Sequence, residues 1–257
     1  MISLYTTIFN LQNFDFTINE ALSNWLFYTD EVVISTLEDQ LEEIQNEVNS
    51  GPFADKVKIV SSDVDIKKDG YWVGGLKDLS LKNCSHDIVI QADFDERLSG
   101  KKEIFIEIEN ILRKSDISAS ILLPVIDLYA DLDHYTNIGR KWYMHKKQGS
   151  NRGPVNFGIK EDGSIDDTKS DTCELINDNG DLLPSMGFVD FTYENPKIIH
   201  LGYLNIDRRN KINKNFWTDM WKLRAKDKEK EIRKETFDKE DPNKKPHFLP
   251  KPLWPTL

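Results

Sequence analysis

The sequence has few of the features that mark secreted, zinc-binding or membrane-spanning proteins. Only two of its 257 residues are cysteines, Cys84 and Cys173, and their spacing matches neither a disulfide framework nor a zinc site. No apolar run approaches the roughly 18 residues that a membrane span requires, and the first residues lack a basic segment followed by a long apolar one. We therefore expect a cytoplasmic, globular protein without a transmembrane segment.

Charge is distributed unevenly along the chain. The formal net charge is −10 at pH 7, and this acidic balance disfavours general binding to nucleic acid. Lysine and arginine concentrate near the C-terminus, where residues 222–251 hold 11 of them against 7 acidic residues. The alternating signs in residues 226–235 are typical of a solvated helix with i,i+4 ion pairs. The same basic helix is a candidate for peripheral membrane contact.

The N-terminal part of the chain alternates between strand and helix patterns. Thr17-Ile-Asn-Glu20 matches a capping box, and apolar residues follow it at helical spacing. This β-α-β-α-β order predicts an α/β fold with a mixed, mostly parallel central sheet flanked by helices. In chain order the predicted elements are a strand at 2–9, a helix from 17, a strand at 31–35, a helix at 41–48 and a strand at 57–60.

An acidic motif follows a fourth predicted strand. Ile88-Val-Ile-Gln91 is short and β-branched, as is typical of a buried parallel strand, and it leads into Asp93-Phe-Asp-Glu96. Side chains two residues apart on extended backbone point the same way, and open α/β sheets bind ligands at the carboxyl ends of strands. The pattern predicts two carboxylates at a Mg²⁺ or Mn²⁺ ion and its phosphate ligands. Asp63-Val-Asp65 and Asp131-Leu-Asp133 share the spacing, so a solvated pair is the competing interpretation.

The second half of the chain mixes further elements with loops. Glycine, asparagine and aspartate accumulate between residues 145 and 187, and long loops often face the substrate. Helices are expected at 72–83 and 103–113, and strands within 117–128, ending near Pro124, and at 187–193 and 197–203.

Together these parts resemble the GT-A glycosyltransferases, particularly the family 2-like enzymes. The resemblance rests on the β-α-β-α-β opening, on Gln91-Ala-Asp-Phe-Asp-Glu96, and on Ile199-His-Leu-Gly-Tyr203 followed by Arg208 and Arg209. It implies the GT-A, or nucleotide-diphospho-sugar transferase, fold.

The resemblance covers roughly residues 2–217 and implies a division of the chain. Residues 1–217 are expected to form a single GT-A catalytic domain, in which residues 134–187 are a loop-rich insertion on the acceptor side. Residues 218–257 are expected to form a charged helix and a proline-rich tail.

An activity and its cofactors are also implied. Such enzymes move a sugar from a nucleotide-diphosphate donor, here of the UDP or GDP type, to a hydroxyl of a glycan or another acceptor. A divalent cation, Mn²⁺ or Mg²⁺, holds the donor diphosphate. By the resemblance, Asp95 binds the cation, Asp93 contacts the ribose or a metal-bound water, and His200 is a further metal or diphosphate contact. A neutral imidazole suits Mn²⁺ beside carboxylates.

Donor-binding residues of such enzymes lie over the first strands. Thr6 and Asn10 are candidates on the first strand, and Asp39 and Asp63 follow the second and third. A carboxylate can accept a hydrogen bond from a ribose hydroxyl or from the imide N–H of uracil, although either aspartate could equally cap a helix. Arg208, together with Arg209, is a candidate for holding phosphate, although two arginines at a helix start are often only surface residues. The second strand ends without the compact Asp-Asp-Gly-Ser of the family, which leaves the nucleotide contacts open.

By the resemblance, a catalytic base is expected well downstream of the acidic motif. An inverting transfer needs a carboxylate to deprotonate the acceptor hydroxyl. The candidates are Asp171, Glu174, Asp190 and Glu194, and the first two are favoured because their segment would cross the acceptor side of the cleft. Ordinary loop acids are the competing interpretation.

Two other functions stay open. The first is a non-catalytic sugar-nucleotide-binding or scaffold protein of the same fold. The second is a haloacid-dehalogenase-like phosphohydrolase, which also carries Asp-x-Asp after a strand. That class usually has Thr or Val soon after the motif, near the N-terminus, whereas Glu96-Arg97 follows here and three predicted strands precede.

Overall fold

A single mixed sheet organises the chain in the computed structural model. The structure describes residues 1–63, 73–115, 120–148, 175–177, 179, 181, 183–212 and 247–248. The strands are β1 (Ile2–Thr7), β2 (Glu31–Leu37), β3 (Val57–Ser62), β4 (Ile88–Gln91), β5 (Glu96–Ser99), β6 (Ser120–Tyr129), β7 (His134–Lys146), β8 (Ser185–Phe188), β9 (Lys197–Tyr203) and β10 (His247–Phe248). The helices are α1 (Ile18–Tyr28), α2 (Leu41–Asn49), α3 (Val73–Asn83), α4 (Lys102–Lys114) and α5 (Ile206–Ile212).

The sheet is mostly parallel. Its strand order is β3-β2-β1-β4-β7-β6-β9-β5, with β8 beside β6 and β10 beside β7. Among the described strands, β5 and β7 run opposite to the rest. The predicted α/β class is confirmed. Because β1 to β4 are parallel neighbours, their carboxyl ends meet at one edge of the sheet, where the acidic motif begins.

Both faces of the parallel strands are covered. Leu4 and Ile90 pack in the core under α1, α2 and α4, whereas Tyr5 and Val89 pack in a second core under α3. Helix α1 begins with the predicted capping box at Thr17, and its stripe of apolar residues is buried. No helix in the described part of the chain is long and apolar enough to cross a bilayer.

The short link between β4 and β5 shows that the sheet curls. Strand β5 lies four positions from β4 in the strand order, which is about 19 Å in a flat sheet. The steps from Gln91 to Glu96 reach at most roughly 17 Å, and the Glu96 N–H bonds back to the Asp93 carbonyl at 3.0 Å, so the link is a turn. Curling closes the gap and brings β5 against α1, where Trp25 Nε1 donates to the Glu96 carbonyl at 3.0 Å.

Three strands of the second half differ in their bounds from what the sequence predicted. The strand expected to end near Pro124 continues to Tyr129, and a register shift against β7 between Leu123 and Pro124 accommodates the proline, which has no N–H to donate. The stretch predicted as loop-rich begins with β7, a strand that pairs with both β4 and β6. The strand predicted at 187–193 is observed at Ser185–Phe188.

Candidate functional site

The acidic motif forms a rigid turn at the carboxyl end of β4. The Asp93 N–H donates to Glu96 Oε2 at 2.7 Å, and this carboxyl group is buried. The Leu201 N–H donates to the Asp95 carbonyl at 2.7 Å, which ties the turn to β9. These bonds fix the backbone from which the two aspartates project, so their side chains face different partners.

Asp95 is joined to His200, as the sequence suggested, and to a residue that the sequence did not suggest. His200 Nε2 lies 3.2 Å from Asp95 Oδ2, and His200 Nδ1 lies 2.7 Å from Asp127 Oδ1. The side chains are 16%, 16% and 22% exposed for Asp95, His200 and Asp127, so the three groups lie at the floor of a site that solvent still reaches. The imidazole therefore bridges two carboxylates.

The charges of this bridge stabilise one another. Burial by itself would lower the pKa of His200, but the charge of Asp95 and the hydrogen bonds that the ring donates to both carboxylates raise it well above its usual value. Burial would likewise raise the pKa of Asp95, yet the charge and hydrogen bond of His200 and the nearby charge of Arg209 lower it well below its usual value. Without a bound cation, the bridge is an ion pair at neutral pH.

Asp93 faces a different partner. Lys77 on α3 places Nζ 2.5 Å from Asp93 Oδ1, and the lysine side chain is only 2% exposed against 35% for the aspartate. The buried ammonium thus contacts the acidic motif from the protein interior. Burial and the charge of Asp93 raise the pKa of Glu96 to about 8, so Glu96 is mostly protonated at neutral pH and serves as a structural acid.

Gly202 allows the backbone of β9 to approach the bridge closely. A Cβ at this position would lie 2.5 Å from His200 Nε2 and 2.9 Å from Asp95 Oδ2. Both distances are shorter than a van der Waals contact, so only glycine fits without displacing one of the two side chains. The Gly-Tyr pair after the histidine was noticed in the sequence, but its steric reason appears only here.

The predicted donor residues lie at the same edge of the sheet. Asp39 follows β2 and Asp63 follows β3, and both are exposed. Asn10 follows β1 with φ 53° and ψ 52°, and its N–H donates to Gln40 Oε1 at 2.6 Å. Thr6 is fully buried, and its Oγ1 has no hydrogen-bond partner among the described residues. The structure thus leaves three of the four candidates at least partly exposed at neighbouring strand ends, and buries the Thr6 side chain.

The two arginines after β9 have different environments. Arg208 lies 3.2 Å from Asp15 Oδ2 and stacks near Phe16, so its guanidinium already has a carboxylate partner. Arg209 lies 4.8 Å above the Tyr203 ring, and its charge acts on Asp95. Of the two arginines, Arg209 is the one whose charge acts on the acidic motif, whereas Arg208 is paired with Asp15.

Of the four candidates for the catalytic base, two lie within the described residues and two lie outside them. Asp171 and Glu174 lie outside the described residues. Asp190 is exposed after β8, and its carbonyl accepts from Asn195 Nδ2 at 2.9 Å. Glu194 is exposed and pairs with Lys101 at 2.9 Å. The described contacts of these last two acids are with the loop before β9 and the start of α4, and not with the acidic motif.

The side chains at the acidic motif meet only some of the requirements of a divalent-cation site. Within the described residues, no group of three or more His, Cys, Asp or Glu side chains is arranged to hold a metal ion, and Asp93 contacts Lys77. Asp95 and His200 nevertheless present a carboxylate oxygen and an imidazole nitrogen side by side, and Nδ1 is held by a carboxylate as in many metal-binding histidines. Mg²⁺ commonly takes only one or two protein carboxylates beside phosphate oxygens. Two protein ligands therefore suffice if a diphosphate supplies others.

Comparisons with known proteins give no family. No family model and no curated protein matches the sequence. Among solved structures, S. aureus TarS in complex with UDP-GlcNAc is 18% identical over 50% of this chain and 34% of its own, with a TM-score of 0.32. The chain thus spans about a third of the TarS 1–349 fragment in that structure, and 21% of the longer TarS chain.

Two further solved structures match more of the chain. HddC from Yersinia pseudotuberculosis is 12% identical over 84% of this chain and 100% of its own, with a TM-score of 0.44. The 4-diphosphocytidyl-2C-methyl-D-erythritol synthase from Anaerococcus prevotii is 13% identical over 90% and 84%, with a TM-score of 0.31. At these scores the similarities assign neither a family nor a function.

Proposed function

We propose that the protein is a metal-dependent glycosyltransferase of the GT-A fold that moves a sugar from a nucleotide-diphosphate donor to an acceptor hydroxyl. The observation that carries the proposal is the contact between Asp95 and His200, which are separated by 105 residues in the sequence and meet at the carboxyl end of β4. Parallel α/β sheets bind nucleotides at this edge. A glycan or polysaccharide hydroxyl is the acceptor class that we propose.

Each group at the site has a role in holding the donor. Asp95 and His200 would hold the cation, which offsets the charge of the departing diphosphate when bound. Lys77 orients Asp93 from beneath, and Asp93 then faces the donor with its exposed side. Arg209 adds positive charge beside Asp95, where diphosphate oxygens would lie. Asp39 and Asp63 remain the proposed ribose or base contacts at the neighbouring strand ends.

The proposal is tested by ligand-induced stabilisation. UDP and GDP, each with Mn²⁺, are added to the protein, and the melting temperature is recorded. A ligand at about 100 times its Kd stabilises by about 2.7 kcal/mol, which raises Tm by roughly 5–10 °C for a chain of this size. Asp95→Ala should abolish the shift. Release of nucleoside diphosphate from a panel of sugar nucleotides then distinguishes a transferase from a binding protein.

A second Asp-x-Asp triplet in the chain supplies a matched control. Asp133 ends an identically spaced pair that is exposed between β6 and β7, so Asp133→Ala should keep the wild-type shift. Stabilisation that survives in Asp95→Ala would contradict the proposed site. If no nucleotide with metal shifts Tm at millimolar concentration, the glycosyltransferase assignment fails.

A further inference from the structure

The ring of His200 is held by residues from strands on both of its sides. Asp127 on β6 is the register partner of His200 on the parallel strand β9, and Glu96 on β5 is its partner on the antiparallel side. Asp127 is flanked in its strand by the fully buried Ile126 and Leu128, which anchor the backbone from which its carboxylate projects. The Asp127 side chain is therefore placed by the sheet.

The two hydrogen bonds of the ring are unequal. Nδ1 lies 2.7 Å from Asp127 Oδ1, whereas Nε2 lies 3.2 Å from Asp95 Oδ2. An ionised carboxylate can only accept, so the shorter contact requires a proton on Nδ1. Asp95 likewise accepts from Nε2 while no cation is bound, and this longer bond is the one that a cation beside Asp95 would replace. The geometry thus distinguishes Nδ1, which is held on Asp127, from Nε2, the ring nitrogen that faces Asp95.

We infer, on the basis of the proposed function, that Asp127 is a positioning residue for the metal site. It accepts the Nδ1–H of His200, keeps the proton on that nitrogen and fixes the ring plane, and so directs Nε2 to the cation held beside Asp95. Carboxylates that orient a metal-binding histidine in this way change metal affinity by about 10- to 100-fold when they are removed. Nothing in the sequence pattern around Asp127 indicates this role.

The first measurement is the affinity of the protein for Mn²⁺ in the presence of UDP, determined by electron paramagnetic resonance. Asp127→Ala should weaken Mn²⁺ binding by about 10- to 100-fold, and Asp127→Asn, which retains an acceptor oxygen without the charge, should lose less. The matched control is Asp131→Ala, because Asp131 also contacts a histidine ring, His134 Nδ1 at 2.8 Å, but on the exposed turn after β6. This variant should keep wild-type affinity.

The second measurement needs neither metal nor substrate. The Nδ1 proton of His200, deshielded by its hydrogen bond and protected from exchange with water, should give a downfield proton resonance in the free protein, assigned by its absence in His200→Gln. Asp127→Ala should remove the resonance while the far-UV circular dichroism is retained. If Asp127 had only a structural role, Asp127→Ala would lower the stability of the protein without removing the Nδ1 proton resonance.

The outcomes separate this inference from the proposed function. Wild-type Mn²⁺ affinity and an unchanged resonance in Asp127→Ala would overturn the positioning role. If the wild-type protein binds no Mn²⁺ with nucleotide, the proposed function fails, and the resonance alone decides whether Asp127 positions His200. If Asp127→Ala does not fold, Asp127→Leu, which fills the space of the side chain but offers no acceptor, decides by the same two measurements, and wild-type values for both would overturn the role.

Discussion

One additional methyl group on Gly202 should disable the site without unfolding the protein. Gly202 lies in β9, and its φ is outside the left-handed region, so the backbone accepts alanine. The new Cβ would lie 2.5 Å from His200 Nε2, against at least 3.4 Å for an ordinary contact. His200 cannot simply rotate away, because Asp127 holds its other nitrogen. Gly202→Ala should therefore push the imidazole about 1 Å from its place beside Asp95.

The expected magnitudes follow from this displacement. A misplacement of about 1 Å in an active site can lower the rate by roughly 100-fold. Overpacking by a single methyl group costs typically 1–3 kcal/mol of folding free energy, which a domain of ordinary stability survives. Activity and stability should thus separate, with a large loss of sugar-nucleotide turnover and of the Mn²⁺–UDP thermal shift beside a modest loss of Tm.

A second strand glycine makes the control. A Cβ on Gly187 in β8 would meet no atom within 4 Å, so Gly187→Ala has the same chemistry without the collision. Its activity and its Tm shift should match the wild-type protein. If Gly202→Ala keeps wild-type turnover and nucleotide binding, the close packing of β9 on the Asp95–His200 pair has no functional meaning, and our account of the site is wrong.

Three further predictions concern single contacts. Lys77→Met removes the ammonium that orients Asp93. Because a hydrogen bond to a charged group contributes about 1.5–3 kcal/mol, the affinity for UDP with Mn²⁺, measured by calorimetry, should fall roughly 10- to 100-fold. Unchanged affinity would exclude a role for the lysine. Burial lowers the pKa of His145 to about 4. The neutral ring therefore contributes about 3 kcal/mol of stability above pH 6.5, and this stability is lost as the pH falls through 4. Urea titrations should show that His145→Gln loses less stability than the wild-type protein over this pH range. Thr17→Ala removes the cap that accepts the Glu20 N–H and should lower the free energy of unfolding by about 1 kcal/mol, whereas Thr17→Ser should not; an equal urea midpoint for all three would contradict the capping role.

Elements with a strong local pattern were predictable. The capping box at Thr17, the apolar stripe of α1 and the strand Lys197–Tyr203 appear in the structure where the sequence placed them. Their signals depend on residues a few positions apart, so periodicity and capping chemistry suffice. The acidic motif was found for the same reason, because an apolar strand followed by two aspartates is a local pattern.

Strand β7 and the partners of the acidic motif were not predictable in this way. The segment His134–Lys146 is rich in polar and charged residues, and it becomes a strand because β4 and β6 offer unpaired backbone groups on both sides. Lys77 lies in a helix, where a lysine is ordinarily solvated, and its burial beside Asp93 is a tertiary contact between α3 and the turn after β4. The candidate bases Asp171 and Glu174 remain predictions from the sequence.

The sequence alone determined which segments form the parallel half of the sheet, that Asp93 and Asp95 follow a buried strand, and that His200 was their candidate partner. Tertiary structure decided how these residues are used: Asp93 faces Lys77, Asp95 faces His200, and Asp127 holds the far side of the imidazole. The physical reason is the range of the interactions. Helix and strand patterns arise from neighbours in the chain, whereas a hydrogen bond between residues about a hundred positions apart depends on strand register and on the curl of the whole sheet.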